Sequence, residues 1–166
     1  MPTPFGEGFV PNERKNDPSE TLKLADPGDY FGIKVTDVGA TYESKNTNAN
    51  GDEVTSESFI VTGDVLPESN LQDWKHQTTR VKYPARKPGE TGKYFHALTY
   101  PGKDGVAGKQ SWKDQNFQEA LKAAGVTSLE TGDELWVQFT RIDGKSHVYD
   151  YVVRPTKRDK PAFPGK

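Results

Sequence analysis

In a chain whose apolar residues mostly alternate in twos, one stretch repeats in threes and fours. Phe117, Ala120, Leu121 and Ala124 recur at i, i+3, i+4 and i+7, the spacing of an apolar stripe along an α-helix. Ser111 stands at the N-cap and Asp114 at the third helical position. That is a capping-box arrangement, in which each side chain satisfies a free backbone N–H. Gly125 is a natural C-terminal cap. No second stretch makes a convincing helix, so the rest of the core must be built from strands.

The strands can be followed in order. Asp26-Pro27-Gly28 is a turn. From Tyr30 to about Val38, Phe31, Ile33 and Val35 alternate with Gly32, Lys34 and Thr36, the pattern of a strand with one buried face. Gly39 marks a bend. Glu43 to Asp52 reads as a polar loop, a long hairpin tip with Asn50-Gly51 as its tightest turn. A second strand runs from about Thr55 to Leu66, with Phe59, Val61 and Val65 on one face, Gly63 as an interruption and Pro67 as its end. The third strand region offers Thr78–Tyr83 and, more strongly, Lys93–Tyr100. A Pro/Gly loop lies between them, with Arg86 and Lys87 at its tip, and a Gly-rich loop follows over Pro101–Gly108. On Lys93–Tyr100, the face carrying Phe95 and Ala97 is expected to be core, leaving Tyr94 exposed or half-exposed. After the helix, Thr131-Gly132-Asp133 turns the chain into a strand with Leu135, Val137 and Phe139. Asp143-Gly144 signals a two-residue hairpin, and Val148–Val153 returns before Pro155.

Strand, strand, third-strand region, helix, strand hairpin is the order of the OB-fold, a five-stranded Greek-key barrel with a helix between strands 3 and 4. The expected architecture is therefore mainly β: a single OB-fold five-stranded barrel over residues 25–155, with extended loops and flexible termini. Residues 1–24, rich in Pro, Gly, Asn and charge, read as a flexible arm whose Phe5, Phe9 and Val10 offer apolar points of attachment. Residues 156–166 read as a basic, Pro-rich tail.

Charge is what points beyond the fold. The formal net charge of −2 hides −9 on residues 1–73 and +7 on residues 74–166. Trp74–Lys113 alone carries nine Lys or Arg against Glu90 and Asp104. Between these cations lie Trp74, Tyr83, Tyr94, Phe95, Tyr100 and Trp112. Rings interleaved with cations suit single-stranded nucleic acid, because bases stack on rings while Lys and Arg follow the phosphates. A hydrophobic sheet ringed by solvated lysines is the competing explanation of the same residues. The chain has no Cys, no run of 18 apolar residues and no apolar signal core near Met1, so a soluble cytoplasmic protein without membrane contact is expected.

Catalytic motifs are weak. His76, His96 and His147 lack partners at zinc-ligand spacing. Gly102–Gln110 superficially resembles a phosphate-binding loop, but five residues rather than four separate Gly102 from Gly108, and Gln110 stands where Mg²⁺ would need Ser or Thr. No dinucleotide fingerprint or nucleophile elbow occurs. The expectation is no enzyme, no cofactor and no metal.

Three segments carry a resemblance: ESFIVTGDVL (57–66), FQEALKAAGVTSLETGDELWVQFT (117–140) and GKSHVYDYVV (144–153). They resemble small actinobacteriophage proteins that look like OB-fold single-stranded DNA-binding proteins, over roughly residues 29–154. The resemblance implies a non-catalytic protein that coats and protects single-stranded DNA in replication or recombination, inside the host cell. Its partners would be single-stranded DNA and phage or host replication or recombination proteins, with the protein a monomer or homodimer. The end of the chain departs from the acidic, Phe-terminated tail of many bacterial relatives: it is basic, and Phe163 is not terminal. Lys75, Arg80, Lys82, Arg86, Lys87, Lys93 and Lys109 are expected on phosphates, and Trp74, Tyr83, Tyr94 and Trp112 on bases. A virion structural or assembly β-domain, or an OB module binding RNA or protein, are the alternatives.

Overall fold

Strand β1 (Tyr30–Val38) is the centre of the protein because its alternation is the cleanest. Phe31, Ile33 and Val35 are buried, and β1 pairs antiparallel with β3 (Glu53–Val65) on one side and β7 (Glu134–Asp143) on the other. The structure is a computed structural model that describes residues 18–48, 50–76, 79–144 and 146–156.

The long hairpin is better ordered than its sequence suggests. Beyond a break at Gly39, β2 (Tyr42–Thr47) continues the β1 side and pairs with the first half of β3. The expected polar loop over Glu43–Asp52 is thus shortened to a tip at Asn48–Asp52. There Asn48 Oδ1 accepts from the amides of Asn50 (2.9 Å) and Asp52 (3.0 Å). The strand was hidden because nearly all of it is exposed on both faces, so no alternation marks it. Two two-residue strands, β4 (Trp74–Lys75) and β5 (Lys82–Tyr83), form a separate ribbon. This is what stands at the Thr78–Tyr83 candidate; residues 77–78 lie outside the described residues.

Strand β6 (Thr91–Ala97) pairs with the second half of β3. Its buried face carries Gly92, Tyr94 and His96, and its other face carries half-buried Lys93, Phe95 and Ala97. The expected faces are inverted. Tyr94, 4% exposed, is core, and Phe95 is not part of the buried cluster. The inversion has a physical cause: His96 enters the interior because Asp114, on the helix, hydrogen-bonds it there. At the crossing of β1, β3 and β6, Gly63 faces Val35 on one side and Gly92 on the other. A Cβ on Gly63 would lie 2.5 Å from the Lys34 carbonyl oxygen, so only glycine permits this close approach.

Helix α1 (Trp112–Ala123) begins as expected on one arm of its capping box. Ser111 Oγ accepts from the Asp114 amide at 2.9 Å. The reciprocal arm is absent, since the Ser111 amide donates to the Leu98 carbonyl and the Asp114 carboxylate is turned to His96. At the other end Gly125 adopts φ +78°, Gly125 N–H bonds Lys122 O and Val126 N–H bonds Leu121 O, a Schellman motif. The apolar stripe of α1 is buried in the common core with Phe31, Val61, Leu135 and Tyr151. The last hairpin closes on the Asp143–Ser146 pair, leading into β8 (Ser146–Arg154), with Gly144 at φ +63°.

The protein is mainly β with a single α-helix among the described residues, and its six-stranded sheet is not closed. Strands run in the order β6-β3-β1-β7-β8, with β2 also on β3. Among the described residues, β6 and β8 share no backbone ladder. Three things fill the seam between them. The lead-in before β1 lies parallel to β6, with Leu22 N–H donating to Lys93 O at 2.8 Å. Asn116 of α1 donates to the Tyr149 carbonyl of β8 at 2.9 Å. The Tyr94 and Tyr151 hydroxyls bond across the gap. Leu22 and Leu24 are both core residues, so the expected flexible arm over residues 1–24 is corrected at its end: at these two positions the chain is packed. Residues 1–17, with Phe5, Phe9 and Val10, and the tail over residues 157–166 lie outside the described residues. No helix described is long and apolar enough to cross a membrane.

Candidate nucleic-acid interface

The expected binding residues divide into groups with different surroundings. In the β4–β5 ribbon, Trp74 stacks on Tyr83 with centroids 4.9 Å apart and planes at 30°. His76 lies 6.2 Å from the Trp74 ring. Side chains alternate across a ribbon, so the opposed pair Lys75 and Lys82 falls on the face away from the rings. Like charges directly opposed are unfavourable, and an anion relieves them. Arg80 is exposed at φ +64°, and its amide bonds His76 O, so its backbone shapes the turn while its guanidinium stays in solvent.

Three expected contacts are otherwise engaged. Arg86 Nε donates to Thr91 O at 2.9 Å, Arg86 also donates to Ser19 O at 3.3 Å, and its guanidinium lies 3.9 Å from Glu90. These contacts tie the loop to the lead-in, a structural clamp. The Lys93 ammonium is 3.2 Å from Glu20 of the lead-in. Tyr94 is buried and presents no face to a base. Lys87 and Lys109 are exposed.

Trp112, the first residue of α1, lines a groove of about 340 Å³ with Tyr100, Pro101, Lys113 and His147. The groove is firmly built. The Trp112 amide donates to the Tyr100 hydroxyl at 2.9 Å, and the His147 ring stacks on Phe139 at 4.7 Å. The loop before α1 uses its own amides: Gly102 with Thr55, Tyr100 with Lys109, and Gly108 with Tyr100. Its glycines are there for close backbone approach, since a Cβ on Gly102 would meet Val106 O at 2.2 Å. The likeness to a phosphate-binding loop ends there, because those amides are already bonded.

The outward face of β3 and β6 carries a residue that sequence reasoning assigned to the core. Phe95 sits opposite Ile60, and Ala97 opposite Ser58, which faces Tyr42 of β2 on its other side. Paired residues share a face, so Tyr42, Ser58 and Ala97 form one row beside Ile60 and Phe95. Tyr42 is 37% exposed, and Phe95 and Ile60 are half-buried. The only sequence signal was parity: Phe95 shares its face with Lys93, whose charge disfavours the core side.

Beneath this face lies a buried polar network. His96 is fully buried, with Nε2 2.9 Å from Asp114 Oδ1 and Nδ1 3.2 Å from the Tyr94 hydroxyl. Burial pushes its pKa down, against the opposing pull of Asp114. Burial pushes Asp114 up, but hydrogen bonds from His96, Gln110 and Gln118 outweigh it and hold the carboxyl below its ordinary range. Burial raises Tyr94 and Tyr151 strongly, and Tyr149 to about 12. Closed to solvent, this network supports the fold and offers nothing to a ligand.

Comparison with protein-family models, with curated proteins and with solved structures gives no match.

Proposed function

We propose that the chain is an OB-type single-stranded DNA-binding protein, of the kind that coats single strands during phage replication or recombination without reading sequence. The order β6-β3-β1-β7-β8 supports it, because it corresponds to strands 3-2-1-4-5 of that fold with the helix between the third and fourth. On this reading β2 and the β4–β5 ribbon are elaborations, and side chains replace the ladder that would close the barrel. OB-folds bind oligonucleotides on the face of strands 2 and 3, flanked by the loops joining strands 1–2 and 4–5. Here that face is the outside of β3 and β6.

The observation that carries the reading is the half-buried Phe95 on that outward face, beside Ile60 and in line with Tyr42. An aromatic ring left outside the core of a mostly polar sheet face suits a stacked base, and the exposed Lys75, Lys82, Lys87 and Lys109 suit phosphates. Titration of the full chain with labelled oligo(dT) at low salt tests it. Phe95→Ala is expected to weaken binding about tenfold or more, since a stacked base contributes ~1–3 kcal/mol. No binding by the wild-type protein, or duplex binding as tight as single-strand binding, sinks the proposal.

A further inference from the structure

The groove at the start of α1 contains a cation without an acid. Lys113 is half-buried, its ammonium 4.2 Å from the centre of the Tyr149 ring. Burial pushes its pKa down, and the charge of Lys23 pushes it further. Among the described residues, no carboxylate forms an ion pair with Lys113 or Lys23. Withdrawing an ammonium from water is costly unless a counter-charge compensates, and a ring face does so only in part. A half-buried ammonium in a groove wall, with no carboxylate paired to it, is complementary to an anion.

The rest of the groove specifies the anion's shape. Its walls include three flat rings, Tyr100, Trp112 and His147, and no Asp or Glu. Two rings are fixed from behind, Tyr100 by its bond from the Trp112 amide and His147 by stacking on Phe139. A volume of about 340 Å³ is at the small end of ligand sites, which run from about 300 to 1,000 Å³. It accommodates one flat ring system with a charged group attached.

We propose that this groove, which adjoins the Phe95 face at Ala97, is a single-nucleotide site. It takes one base against Trp112 and Tyr100 and the attached phosphate at Lys113. The proposal rests on the reading that the ligand is nucleic acid. It adds a point where one nucleotide of a bound strand leaves the stack and is held individually.

Thymidine 5′-monophosphate, thymidine and inorganic phosphate, each titrated against the ¹⁵N-labelled full chain, test the groove directly. Expected are amide and indole shifts at Trp112 and Lys113 with the monophosphate, smaller ones with thymidine or phosphate alone, and none in Lys113→Met. In oligo(dT) titrations Lys113→Met is expected to lose about tenfold in affinity, and the log–log salt slope to fall by about 0.7, the value for one phosphate contact on a single strand. Because the substitution removes an uncompensated charge, the variant is expected to melt no lower than wild type. Should it melt lower, Trp112→Leu decides in its place, with the same loss of affinity expected. Monophosphate titration that leaves Trp112 and Lys113 unmoved overturns the proposal. So does unchanged oligo(dT) affinity in both variants, and if Phe95→Ala still weakens binding, the broader reading survives. Monophosphate shifts in a protein that does not bind oligo(dT) overturn the broader reading and leave the groove as a nucleotide site.

Discussion

His96 is a fully buried histidine whose two nitrogens have different tasks. Asp114 is ionised and can only accept, so Nε2 carries the proton and donates to it at 2.9 Å. Nδ1 is then free to accept from the Tyr94 hydroxyl, which in turn bonds Tyr151. The ring is neutral in the fold, because burial holds its pKa below the ordinary 6.5. As pH falls below about 6.5, the unfolded chain gains a proton that the native chain refuses, so stability declines from there towards the folded pKa. Asp114, held below its ordinary 3.8, adds a second loss under that pH. At the alkaline end Tyr94 and Tyr151 stay protonated in the fold, so stability declines again as unfolded tyrosines ionise above about 10. Urea unfolding across pH is expected to show a plateau between these limits, and a flat profile from pH 8 to 5 would contradict the assignment. Asp114→Ala orphans the buried imidazole N–H and is expected to cost ~1–3 kcal/mol at pH 8, read from the urea midpoint.

Elements differ in how much of themselves they reveal locally. Helix α1 was legible because its stripe, its Ser111 cap and its Gly125 stop all lie within one short window of sequence. Strand β1 was legible because only one of its faces is buried. Strand β2 was not, since tertiary pairing with β3 rather than burial makes it a strand. The facing of β6 was not, because the partner that draws His96 inward lies on another element, and polarity alone argued for the opposite arrangement. The same holds for the candidate site. Trp112 and the exposed lysines could be picked by residue type, but the clamp made by Arg86 and the outward turn of Phe95 depend on contacts distant in sequence. Gly63 was read as an interruption of β3, yet its role is to let three strands cross closely. Gly63→Ala is expected to cost about 1–3 kcal/mol, as overpacking usually does, because the atom it meets is a backbone oxygen that cannot step aside. Thermal unfolding of that variant measures it, and an unchanged melting temperature would show that the strands have room to separate.

At the scale of the whole molecule, the acidic first part of the chain and the basic remainder are joined through the lead-in. Glu20 meets Lys93, Ser19 receives Arg86, and Leu22 and Leu24 enter the core. A flexible arm would tolerate any substitution there. Leu22→Ala is instead expected to lose about 2–5 kcal/mol, the range for emptying a buried leucine site, by chemical denaturation. That is a large share of the ~5–15 kcal/mol that holds a domain of this kind folded.

The side-chain seam also sets an order of events. Residues 21–24 are synthesised before every strand they touch, yet Leu22 must wait for Lys93, and Tyr94 must wait for Tyr151, 57 positions later. Contacts so distant in sequence form only after intervening loops have closed, which makes this join a late one. Until then the outer edge of β6 is an unpaired template, open to a strand from another nascent chain. The feature that finishes the native fold is thus also where a crowded ribosome or an overexpressing cell would first see it go wrong.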